Sequence, residues 1–135
     1  MQNFIYALIQ VVHNFGAVTV VGTAVSALWL VHGDTAVQRR LALFMAMAWA
    51  IQAASGALFG AVTYYYESQF PDIHGIAVDA LLIKIACALV GFILAITYIS
   101  LHSGWPAYKR LLAWRILFML GVVALSSAAF LRWFS

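Results

Sequence analysis

The chain has 135 residues, of which 66% are hydrophobic and 8% charged. A soluble domain carries about 25% charged residues, so this composition cannot build an aqueous surface, and the chain is expected to be embedded in a membrane as one domain. The net charge of +3 comes from scattered basic residues, which excludes the basic face that nucleic acid requires. The single cysteine, Cys87, excludes an internal disulfide.

Four apolar runs follow one another: residues 4–31, 41–65, 76–100 and 111–134. Each reaches the ~20 residues of a spanning helix. Helices are the default there because lipid offers the backbone no hydrogen-bond partner. The first run has no Lys or Arg before it and is longer than a signal core, so it reads as a retained span. Pro71 and Pro106 fall between runs, where they break helices without loss. The predicted fold is all-α: an integral-membrane up-down-up-down four-helix bundle forming one domain over residues 1–135.

Loop charge predicts the orientation. The first loop carries Arg39 and Arg40, and the third carries Lys109 and Arg110 with Arg115 just beyond. The second holds Glu67, Asp72 and Asp79 and no basic residue. The positive-inside rule puts loops one and three in the cytoplasm. Both termini are then outside, in a plasma (bacterial inner) membrane. Arg132 is a lone opposing charge. Tyr64, Tyr65, Tyr66, Trp105, Tyr108, Trp133 and Phe134 lie at run ends, as interfacial belts do.

Small residues predict the packing faces, since they let membrane helices approach closely. In the third run Ala77, Ala80, Ala88, Gly91 and Ala95 recur at helical spacing, and Lys84 falls on that stripe. In the first, Tyr6, Gln10, His13, Ala17, Val20 and Ala24 share a face. Gln52, Ser55, Gly56 and Thr63 mark the inward side of the second. Gly121, Ala124, Ser127 and Ala128 mark that of the fourth.

His13 and Lys84 are the ionisable groups placed deep in these runs, where a charge is costly and usually faces a partner or cofactor. Counted from the outside, His13 lies about 13 Å down and Lys84 about 12 Å at 1.5 Å per residue, so both fall in one leaflet. The imidazole can ligate a haem iron, with Gly16 and Ala17 leaving room for the macrocycle. It can also bind copper, meet a quinone, or simply hydrogen-bond another helix. Lys84 suits a haem propionate, a carboxylate or a quinone oxygen. Gln10, Asp79 and His74 are placed at the mouth of the site, Asp79 also as a helix-start residue. His32 and His102 read as interfacial, and Cys87 as an apolar filler. No phosphate loop, CxxC, HExxH or nucleophile–base set is present, which leaves enzymatic activity open.

With His13 in the first helix and Lys84 in the segment Leu81-Leu82-Ile83-Lys84-Ile85-Ala86, the chain resembles the small four-helix haem-b membrane proteins around the HemJ-type protoporphyrinogen oxidases and CopD-like domains. The resemblance implies His13 as haem ligand and Lys84 as its third-helix companion. The chain departs from the oxidases where they carry an aromatic-Pro-Arg stretch; here the residues are Leu28-Trp29-Leu30-Val31-His32. The expected function is therefore a membrane redox protein holding haem b and passing electrons between a quinone pool and an outer-face partner. Two alternatives stay open. One is a structural subunit of a larger respiratory or transport complex, or a homo-oligomer, with no cofactor of its own. The other is a quinone-binding or copper-handling protein.

Overall fold

The computed structural model describes residues 1–135 and is all-α, without strands. Helix α1 spans Gln2–Val25 and continues as a π turn, Ser26–Leu30. Helices α2, α3 and α4 span Thr35–Glu67, Ile76–Leu101 and Ala107–Phe134. All four are long and apolar enough to cross a membrane.

The helices overrun the apolar stretches that announce them. Arg39 and Arg40 belong to α2, and Lys109 and Arg110 to α4, rather than to loops. The reason is that local capping, not hydropathy, sets a helix end. Asp34 caps α2 by accepting from the Val37 N–H at 3.1 Å. Ser68 stops it in the left-handed conformation, φ 56°, with its N–H on the Tyr64 carbonyl. Gly75 enters α3 at φ 56°, ψ −121°, a conformation that suits only glycine. Pro106 precedes α4, where a missing N–H is harmless.

The four helices close a ring: α1 packs on α2, α2 on α3, α3 on α4, and α4 more sparsely on α1. The α1/α2 seam runs antiparallel and is marked by polar contacts along its whole length. Tyr6 donates to Thr63 at 2.9 Å, and Gln52 donates to the His13 carbonyl at 2.6 Å. Thr23 Oγ1 lies 3.7 Å from Met45 Sδ, and Gln38 donates to the Ala27 carbonyl at 3.1 Å. The last contact accounts for the π turn. Its widened backbone bonds Val31 N–H to the Ser26 carbonyl, and the Gln38 amide takes up the Ala27 and Val31 oxygens. Tyr98 of α3 completes this cluster by donating to Gln38 Oε1 at 3.2 Å.

The apolar core fills only one half of the ring. It gathers around Val20, Met45, Trp49, Tyr98, Trp114 and Leu117, toward the end bearing the α1–α2 and α3–α4 connections. There Trp49 lies flat against Gly91, so closely that a Cβ at that position would enter the indole. The half nearer the termini carries His13, Gln52, Ser55, Thr63 and Lys84. Around the outside, Leu, Ile and Phe are left exposed, Phe15, Leu82 and Ile93 among them. This much exposed apolar surface far exceeds the patches that monomeric soluble proteins expose.

Candidate functional site

The polar layer lies in the terminal half of the ring and draws one residue from each of three helices. Lys84 Nζ of α3 is 2.8 Å from His13 Nε2 of α1. On the other side of the ring, His13 Nδ1 is 2.6 Å from Ser55 Oγ of α2. Ser55 Oγ also reaches the Ile51 carbonyl at 2.6 Å. A serine hydroxyl has one proton, and the carbonyl can only accept, so that proton goes to Ile51. Ser55 Oγ must then accept from His13 Nδ1–H. With Lys84 as an ammonium, which has no lone pair, the matching arrangement has His13 protonated on Nδ1 and its Nε2 accepting from Lys84.

The local sequence makes this contact possible. His13 and Gly16 lie on the side of α1 that meets α2. Gly16 is buried, and the Gln52 amide occupies the space where its Cβ would be. That close approach lets Gln52 donate to the His13 carbonyl. Helix α2 thus holds the histidine twice, by its ring and by its backbone. On α3, Ala77 and Ala80 are buried in the turns before Lys84, so the helix comes near enough for the lysine stem to reach across. His13 and Lys84 themselves are half-buried.

The two residues singled out at depth therefore meet. The others do not join them. Gln10 is exposed and bonds within its own helix, to Asn14 at 2.8 Å. Asp79 is exposed and forms no ion pair with Lys84; five residues apart, the two point about 140° from each other around the helix. His74 is exposed in the loop and pairs with Asp72 at 2.6 Å. Gly16 accommodates Gln52 rather than holding open space. Sequence reading put Ser55 and Gln52 on the inward side of α2 but did not join them to His13. An antiparallel α1/α2 register, counted from Tyr6 and Thr63, would have put both opposite it.

Chemically, the layer presents a lone pair and a cation at one point. The only hydrogen bond Lys84 makes is to His13, so two of its three N–H groups have no protein acceptor. No carboxylate neutralises it, and no group of three His, Cys, Asp or Glu side chains is assembled anywhere in the chain. Neither of the two main surface grooves includes His13 or Lys84 in its lining.

No protein-family model, curated protein or solved structure matches this chain.

Proposed function

We propose that the chain is an integral-membrane redox protein that binds haem b through its His13–Lys84 layer. The supporting observation is the Ser55–His13–Lys84 line, with His13 Nδ1 2.6 Å from Ser55 Oγ and Nε2 2.8 Å from Lys84 Nζ. Ser55 would accept from Nδ1–H, as second partners of ligating histidines do. Lys84, short of acceptors, is the cation available to a propionate. His13 Nε2 would hold the haem iron, and Lys84, released from that nitrogen, would meet a propionate. When bound, the haem supplies one-electron exchange, here between a quinone pool and a partner at the outer face.

The membrane reading rests on the four apolar helices and the exposed apolar surface. The positive-inside rule favours a plasma-membrane orientation with the basic turns in the cytoplasm and both termini outside.

One observation favours a second reading. Both nitrogens of the His13 ring and its carbonyl already have partners within the chain. The layer can therefore serve as a structural bolt among helices, in a subunit of a larger membrane complex. The deciding experiment is the absorption spectrum of the full chain, expressed with haem supplied, before and after dithionite. The redox reading expects a Soret band that shifts on reduction and is lost in His13→Ala with membrane insertion intact. A colourless wild-type protein, or the same band in the variant, refutes it.

A further inference from the structure

We propose that the α1/α4 groove at the basic end of the ring is a binding site for an anionic phospholipid. The groove is a half-open depression of about 380 Å³ between the π turn and α4. Leu28, Trp29, Leu111 and Phe118 wall it, and Arg115 and His32 lie among them. Trp29 and Phe118 meet edge to face, with centroids 5.3 Å apart, which gives one wall a rigid apolar surface.

Arg115 is the unusual member. The other cations at the start of α4 are engaged: Lys109 sits over the Trp105 ring at 4.8 Å, and Arg110 donates to the Trp105 carbonyl. Arg115 is exposed and has neither an ion pair nor a hydrogen bond within the chain. It stands four residues into the apolar run that begins at Leu111, about 6 Å along the axis, with apolar neighbours on both sides. A guanidinium one turn inside that run lies within reach of a lipid phosphate, which it can grip with two parallel N–H bonds. The rest of this end repeats the preference. Arg39, Arg40, Lys109 and Arg110 lie at the same end of the bundle, and its one carboxylate, Asp34, is occupied in capping α2.

A second copy of the chain is a poor occupant, because Glu67, Asp72 and Asp79 all lie at the opposite end and none can reach Arg115 in a parallel pair. An amphiphile with an alkyl tail and an anionic head matches both halves of the groove. The inference requires the helices to span a bilayer. It does not depend on haem, so a failed spectrum leaves it standing.

The test is native mass spectrometry of the full chain in detergent, with phosphatidylglycerol or phosphatidylcholine of the same acyl chains. Phosphatidylglycerol should be retained roughly five-fold more strongly, the equivalent of one basic side chain at a charged lipid surface. Arg115→Gln should abolish that preference, and Arg132→Gln, at the other end, should keep it. Equal retention of the two lipids, an intact preference in Arg115→Gln, or dimers in place of lipid adducts overturns the proposal. A second measurement uses the wild-type chain: phosphatidylglycerol with brominated acyl chains should quench tryptophan fluorescence, and Trp29→Phe should remove most of that quenching. Quenching indifferent to Trp29 also overturns it.

Discussion

Ser55→Ala is the substitution that separates a ligand-binding layer from a structural bolt. It removes one oxygen and leaves the helix otherwise intact, because the Ser55 hydroxyl's own bond runs back to Ile51 in the same helix. What is lost is the acceptor for His13 Nδ1–H, 2.6 Å away. A buried donor left without a partner costs about 1–3 kcal/mol. Polar contacts between membrane helices average about 0.6 kcal/mol, and His13 is only half-buried, so about 1 kcal/mol is expected here. That is a loss of a few degrees in melting temperature for a domain of this size. The structural reading stops there. If His13 ligates iron, the freed ring also loses its fixed tautomer and orientation, and haem affinity should fall about 10–100-fold. Thermal melting in detergent and a haem titration on the same preparation give both numbers. A measurable stability loss with haem affinity unchanged refutes the argument that Ser55 positions a ligand.

Three further substitutions probe the packing. Lys84→Met removes an unneutralised charge from membrane depth, a change of about 2.5–3.5 kcal/mol on insertion scales, against about 1 kcal/mol for the donor that His13 Nε2 loses. The variant should therefore melt higher while holding less haem, and lower stability would show that the Lys84–His13 contact outweighs the charge. Gly91→Ala drives a Cβ into the Trp49 indole and should cost about 1–3 kcal/mol; Gly22→Ala, with nothing within 4 Å, should be neutral or stabilising, and equal melting of the two would contradict the close contact. Gln38→Leu strands the Tyr98 hydroxyl and the Ala27 and Val31 carbonyls together. It should lower the melting temperature more than Tyr98→Phe, which removes one of those bonds.

The helix count and the packing faces were legible in the sequence. Ala77, Ala80, Gly91 and Ala95 are buried as their spacing indicates, and so are Gln52, Ser55 and Thr63, whereas Gly56, expected beside them, is exposed. Small residues at helical spacing carry that information by themselves, since only they allow close approach. Gln10 was misplaced because it lies at the edge of the α1 stripe, where it turns to Asn14 instead. Asp79 and His74 were grouped with Lys84 by proximity in sequence, and helix rotation and the loop's course separate them.

The sequence by itself determined that this chain forms apolar helices with one imidazole and one ammonium well inside two of them, because hydropathy and periodicity are properties of the chain taken piece by piece. Tertiary structure decided that the two groups touch, and that the other ring nitrogen of His13 meets Ser55 of α2. That outcome depends on the α1/α2 register and on Gly16 admitting the Gln52 amide. Both are relations between segments about forty residues apart, and no local pattern encodes a distance across a bundle.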